Sequence, residues 1–420
     1  MGMGNIAASI SAVLGSLGGS VLVAIVMCIL GFVFRAGAKN SIRGGIYAGI
    51  GLAGLNMVVN SATGALTPAI QAFSENFNSG LTVTDLGWGS SGIAFAWPGL
   101  AFVILGILAV NAVMVLLKLT KTMWTDIWSI WHGNVVGGFV WAATGGNITL
   151  GVVAGVLFLA IGSIIADITA KDYQEFNDMP GIAVPCTVSF LALFAKPFNG
   201  LLEKIPGIRD INASPENIRK RMGIFGELGV MGTVIGVIIG ILAGYRYGEV
   251  LNLGVQIGVL MVFLPKTVSV LCEGIIPIAN AITEFVQDRF EGREVYVGVD
   301  CAALLGHPSV MASAVLLYPM IVILAVLLPG NAMLPIASLA VIPYWCGAVA
   351  AQLKGNVFRI VLFVLIWSIP IFYIASAMAP IHTQAMGLLG LADQAVVNSS
   401  FDMGGDPLGA VMVYIFQLFK

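Results

Sequence analysis

Ten runs of apolar residues divide this chain, at about 18–35, 44–73, 92–117, 148–170, 180–198, 222–245, 250–286, 301–328, 357–379 and 382–398. Most approach or exceed the roughly 20 residues that an α-helix needs to cross a bilayer. Charge is scarce between them: Lys, Arg, Asp and Glu make up 10% of the 420 residues, against about 25% in an ordinary soluble domain. So few charges cannot coat a water-facing surface, and most of the exterior must meet lipid. The net charge of -2, with no basic stripe, excludes an electrostatic nucleic-acid partner. The 52 glycines suit helices that pack closely in lipid. The pattern is that of an all-α polytopic membrane protein.

Two further apolar stretches, 124–145 and 331–352, are broken by Gly, Pro or polar residues. Each reads as a re-entrant hairpin, which a bilayer tolerates only when protein surrounds it. Basic residues Arg35, Lys39 and Arg43, and Lys196 to Arg221 in the central loop, put both loops on the cytoplasmic side. The acidic loops near 74–91 and 171–178 then face outward, as does the amino terminus. A shift of 209 residues lays Pro68 on Pro277, Ser129 on Ser338, Gly138 on Gly347 and Gly146-Asn147 on Gly355-Asn356. A shift of 210 lays Trp97-Pro98 on His307-Pro308. The expected organisation is a first repeat at 1–198, a linker at 199–221, a second repeat at 222–398 and a tail at 399–420. Five spans plus a hairpin per unit is an odd count, so the copies are inverted, the architecture of secondary-type permeases.

Five scattered cysteines in apolar stretches form no CxxC pair and no zinc spacing, so they read as small buried hydrophobes. No GxxxxGK[ST] loop and no soluble domain is present, so ATP is not handled by this chain. No cofactor, no metal and no catalytic residue is expected. The Val21–Phe34 stretch followed by Arg35 reads as a first membrane helix and not as a cleaved signal.

Ionisable groups inside membrane spans are costly and therefore functional candidates. Asp300 and His307, seven residues apart, would share one face of an α-helix and could bond the hydroxyls of a neutral ligand. The bland reading is an interfacial Asp and a His bonded to a nearby carbonyl. In the first hairpin Trp124, Trp128 and Trp131 fall on one helical face, followed by His132 and Asn134. Indole faces pack on sugar C–H faces, yet Trp also gathers at membrane interfaces for anchoring. For the three indoles the anchoring reading is favoured; His132 is the stronger site candidate. Cys186 and Thr187 after Pro185, Glu227 and Glu273 within spans, Asp85 and Trp88 before the third span, and His382 before the tenth complete the set. Each of these serves equally as a cap or an interhelical contact.

At these residues the chain resembles the galactitol-type membrane permease, the C component, of the bacterial phosphotransferase system, which is grouped with the ascorbate permease. The resemblance rests on Asp126-Ile-Trp-Ser-Ile-Trp-His132, Gly181-Ile-Ala-Val-Pro185, Glu203-Lys-Ile-Pro-Gly207 and Phe225-Gly-Glu227. It continues in Gly240-Ile-Leu-Ala-Gly-Tyr245, Leu304-Leu-Gly-His307, Pro329-Gly-Asn331 and His382-Thr-Gln384, and runs from about residue 18 to 409. It implies a homodimer in the bacterial cytoplasmic membrane and an elevator in which a core domain slides against a fixed dimerisation domain. It also implies a separate B component whose phosphocysteine phosphorylates the incoming sugar. By position it implicates His132, Cys186, Thr187 and Asp300 in binding, and also Asp85 and Trp88. The family usually has His where Cys186 stands, and an Asp after the second hairpin's Leu-Pro, where this chain reads Leu334-Pro335-Ile-Ala337. The expected substrate class therefore widens to pentitols, hexitols and sugars. The family often has a further span after Gly404-Gly405-Asp406-Pro407, where only about a dozen apolar residues follow here.

The leading expectation is import of a polyol or sugar coupled to its phosphorylation by that B component. The alternative is an ion-coupled transporter of a small polar solute, with Asp300 and Glu273 as proton or sodium sites. A membrane scaffold without transport is a weaker third reading, disfavoured by the buried charges.

Overall fold

The computed structural model describes residues 19–75, 82–126, 129–213, 215–216, 224, 227–289, 294–335, 337–392 and 395–419. Trp128, residues 76–81 of the outward loop and Arg219, Lys220 and Arg221 of the linker lie outside them. Helices dominate. The first half holds α1 Gly19–Val33, α2 Ala38–Glu75, α3 Ser91–Ala96, α4 Leu100–Leu116, α5 Trp131–Ala143, α6 Ile148–Asn177 and α7 Ser189–Leu202. The second holds α8 Leu228–Leu242, α9 Tyr247–Arg289, α10 Pro308–Leu327, α11 Ile342–Ala350, α12 Val357–Leu388 and α13 Pro407–Gln417. Five short strands lie between them: β1 Thr84–Asp85, β2 Thr122–Trp124, β3 Ile182–Ala183, β4 Tyr296–Gly298 and β5 Asn398–Ser399.

Among the described residues, α6, α10 and α12 are each long and apolar enough to cross a bilayer. A fourth span is bent by 87° between α3 and α4. Its break is Trp97-Pro98-Gly99, where Pro98 forces Trp97 out of the helical region (φ -74°, ψ 151°). The displaced Trp97 ring is 1% exposed and fills a slot beside Gly137 and Gly151, where any side chain would strike it. Its Nε1 donates to Asn134 Oδ1 at 3.0 Å.

Two sequence expectations are corrected. Run 357–379 and the first part of run 382–398 are one helix, α12, which passes through Pro370 and Pro380 and ends at Leu388, before Gly390 at φ +66°. Interior prolines are tolerated in membrane helices when neighbours satisfy the freed carbonyls, whereas a glycine in the left-handed region stops the helix. Run 180–198 is not a single span either. Gly181 (φ +76°) and Pro185 split it into β3, a turn and the 14-residue α7.

Backbone freed at these breaks pairs in two parallel patches. In one, β4 lies between β2 and β3, with Val297 opposite both Met123 and Ile182. In the other, β1 pairs with β5, and Val83 bridges Met333. Such pairing is what interrupted backbone needs at membrane depth.

Helices α1, α2, α8 and α9 pack chiefly on one another, and their closest crossings run through glycines. A side chain at Gly51 would meet the Leu271 backbone at 2.4 Å, and one at Gly274 the Ala48 backbone at 2.4 Å. Gly51→Leu is therefore expected to lower stability by ~1–3 kcal/mol through overpacking, and Gly64→Ala, which faces open space, to be neutral or mildly stabilising. Thermal unfolding of the two variants in detergent makes the comparison.

At the end of α7, Glu203 receives Lys354 Nζ at 2.7 Å and Arg359 Nη1 at 3.3 Å, while Arg359 also donates to Asn199 Oδ1 and to the Arg209 carbonyl. The Lys354 hydrogen bond, first, holds the Glu203 carboxyl below its ordinary range. A lowered acid stabilises the fold above its unfolded-state value and loses that contribution as pH falls through the folded one. Glu203→Gln is expected to flatten a small acid-side fall in melting temperature, read from melts across the carboxylate range.

Candidate substrate cavity

A cavity of about 250 Å³ opens where the two hairpins approach each other. Trp88, Trp131, Tyr344 and Leu52 give it aromatic and apolar walls, and His132, Asp300 and Asp402 supply its charged and titratable groups. Local structure fixes each. His132 sits in the first turn of α5, where its Nδ1 faces the Ser129 carbonyl at 2.9 Å. A carbonyl accepts only, so Nδ1 carries a proton and donates it there. Nε2 lies 3.9 Å from Cys186 Sγ, and the ring stacks on Trp131 at 4.0 Å. Trp88 meets Tyr344 edge-on at 5.6 Å.

Two matching carboxylates hold the hairpins. Asp300 follows β4 and caps the 3-10 turn Cys301–Gly306 by accepting from the Ala302 N–H at 2.7 Å. It also accepts from Ser129 Oγ of the first hairpin at 2.9 Å. Asp85 follows no full helix either: it ends β1, accepts from the Gly87 N–H at 3.0 Å, and takes both Ser338 Oγ (2.6 Å) and Ser338 N–H (2.7 Å) of the second hairpin. The two differ in one bond. The Ser129 N–H turns to Asp126 Oδ2 at 3.2 Å, so Asp300 keeps lone pairs for the cavity, whereas three donors occupy Asp85.

His132, Asp300 and Trp88 thus meet at one cavity. Cys186 and Thr187 stand behind it around a smaller void that also touches His132. Cys186 Sγ lies 3.3 Å from Cys301 Sγ, and Cys301 itself faces the main cavity.

The other candidates lie elsewhere. His307 is no neighbour of Asp300, because 300–307 is not α-helical: at three residues per turn, positions seven apart point in different directions. His307 instead caps α10 through Nδ1 to the Ser309 N–H at 3.2 Å and packs on Phe176 at 4.4 Å. Asn134 serves Trp97. Asp85 is committed to Ser338. Glu227 is exposed at the start of α8, and Glu273 is half-exposed and paired with Arg43 at 3.3 Å. His382 is buried within α12, its Nε2 2.8 Å from Ser90 Oγ and its Nδ1 2.7 Å from Asn398 Oδ1. Trp131, read from sequence as an anchor, is a cavity wall. Tyr344, Cys301 and Asp402 carry no sequence signal of their own: the first two lie in apolar runs, and Asp402 in a polar loop beyond the last expected span.

Comparison with known proteins gives the family. Residues 12–394 match the family described as PTS system sugar-specific permease component, EIIC-GAT. The PTS system galactitol-specific EIIC component of Escherichia coli (strain K12) is 34% identical over 405 residues, covering 96% of this chain and 89% of that protein. A putative permease IIC component of the same strain is 35% identical over 378 residues, covering 89% and 86% respectively. Permeases of this kind reside in the bacterial inner membrane, in keeping with the apolar helices here. The chain belongs to the family of sugar-specific permease components of the phosphotransferase system.

Proposed function

We propose that this chain carries galactitol, or a polyol close to it, across the inner membrane, and that a phosphocysteine-bearing B component phosphorylates it on the cytoplasmic side. The observation that carries the reading is the cavity itself. Flat indole and phenol faces beside acceptor-rich carboxylates and one imidazole are suited to a molecule with C–H faces and many hydroxyl donors. Galactitol is named from the relative that shares about a third of the sequence over nearly the full chain. Glu273, which an ion-coupled mechanism would use, is tied to Arg43 on an exposed helix face, so the coupling ion has no second buried site there.

The same proposal includes two inverted units and an elevator motion within a homodimer. Its support is in the spacing of elements. Adding 209 to Gly19–Val33 gives residues 228–242, the bounds of α8, and adding it to the first residue of α2 or α6 gives the first residue of α9 or α12. The strand patches correspond as well: Met333, β1 and β5 repeat the order β2, β4, β3. On this spacing the second unit extends into α13, past residue 398, because 182–202 answers to 391–411. The elevator reading is supported by the wall that α1, α2 and α9 turn toward Asp126 and Asp300. It is apolar, with Val23, Val26, Met27, Leu52, Leu271 and Ile275 offering no hydrogen bonds to break during sliding.

Uptake of labelled galactitol into vesicles tests the function. Label is expected to accumulate as the phosphate ester, and only with the phosphorylated B component; unphosphorylated label that follows a proton gradient would establish ion coupling instead. Asp300→Asn is expected to weaken galactitol binding by about 10- to 100-fold, the loss of a charged hydrogen bond of ~1.5–3 kcal/mol. Binding in detergent at unchanged affinity would remove Asp300 from the site. Cysteine accessibility should find residues 35–43 and 288–296 on the same side of the membrane, and opposite sides would refute the inverted units.

A further inference from the structure

We propose that Asp402 is a specificity-determining ligand of this cavity, and that with Asp300 it admits uncharged polyols and excludes their anionic forms. The inference rests on the reading of the cavity as the substrate site and adds the class of substrate to it.

Asp402 lies in the loop between β5 and α13, lines the cavity and is only 7% exposed. Its carboxylate accepts no hydrogen bond from any described residue, although most buried carboxylates are fully engaged. Its neighbour Asp406 shows the ordinary case, spent on the Gly409 N–H as the cap of α13. The loop that presents Asp402 is firmly built. The Phe401 N–H bonds Ser338 Oγ at 2.9 Å, the Gly404 N–H bonds Ser400 Oγ at 3.0 Å, and the Phe401 ring packs against Trp345 and Phe372. A carboxylate that faces a cavity of this size with no donor from the described residues has its lone pairs left for water or for a ligand that brings donors. Polyol hydroxyls are such donors.

The charge around the ligand then selects against anions. Two carboxylates, Asp300 and Asp402, face the cavity; no Lys or Arg lines it, and His132 is its one basic group among the described residues. Asp126 stands directly behind Asp300, on the shared Ser129. A phosphate ester or an aldonate placed there meets two carboxylates at close range with the single His132 imidazole to answer it, an excess of like charge that disfavours the wrong ligand. A polyol that acquires a phosphate while bound would therefore lose its affinity for the cavity.

The test uses the purified full-length protein in detergent, with galactitol, a galactitol monophosphate and galactonate as ligands. The wild type is expected to bind galactitol at least ~100-fold more tightly than either anion. Asp402→Asn is expected to weaken galactitol and to narrow that gap by ~10-fold or more, with an unchanged melting temperature. Anions bound within a few-fold of galactitol by the wild type would overturn the proposal, a result independent of whether any variant folds. So would a folded Asp402→Asn protein with affinities and discrimination unchanged. If neither galactitol nor other neutral polyols bind at all, the reading of the cavity as a polyol site fails first, and that outcome is distinguishable from the other two.

Discussion

Backbone that leaves a helix inside a bilayer must find partners within the protein, and everything at the cavity follows from how this chain meets that demand. The breaks are not loose loops. Each is tied into a parallel strand patch, and each hairpin is fastened by a carboxylate on a distant segment, Asp300 to Ser129 and Asp85 to Ser338. These crossing bonds bring segments about 170 and 253 residues apart in sequence into one site. Two polar groups that would be expensive alone satisfy each other, and the hairpins gain a fixed place.

Duplication of this fastening leaves room for chemistry. Asp85 accepts from three donors and has little left to offer, whereas Asp300 keeps part of its capacity because the Ser129 amide is claimed by Asp126. One carboxylate acts as a clamp, and the other as a clamp that, on the proposed reading, also meets the substrate. Around the latter, Trp88, Trp131 and Tyr344 shape the space, and Cys186 with Cys301 fills the ground behind His132. The two thiols keep that ground small and weakly polar.

Much of the architecture is legible in the sequence because lipid makes the signal strong: a run of twenty apolar residues has few other uses, and Pro or Gly within a broken run marks a hairpin. Asp300 and His132 stand out for the same reason, as ionisable groups among apolar neighbours. The misreadings have specific causes. His307 is placed beside Asp300 only if the segment is an α-helix, and it is a 3-10 turn ended by a proline. Pro380 and His382 look like a gap between spans, but α12 continues through them because the imidazole is satisfied by Ser90 and Asn398 from other segments. Asp402 is invisible because a carboxylate in a Gly- and Ser-rich loop looks solvated, and only the fold of that loop under the second hairpin buries it.

Helix α12 joins places that are otherwise far apart. Near its start Arg359 gathers Asn199, Glu203 and the Arg209 carbonyl; near its end His382 grips Ser90, one turn from Trp88. The 23 residue steps from Arg359 to His382 span about 35 Å at the helical rise. One continuous helix therefore ties the connector between the halves to the segment beside Trp88, with Pro370 and Pro380 as the two places along it where it can bend.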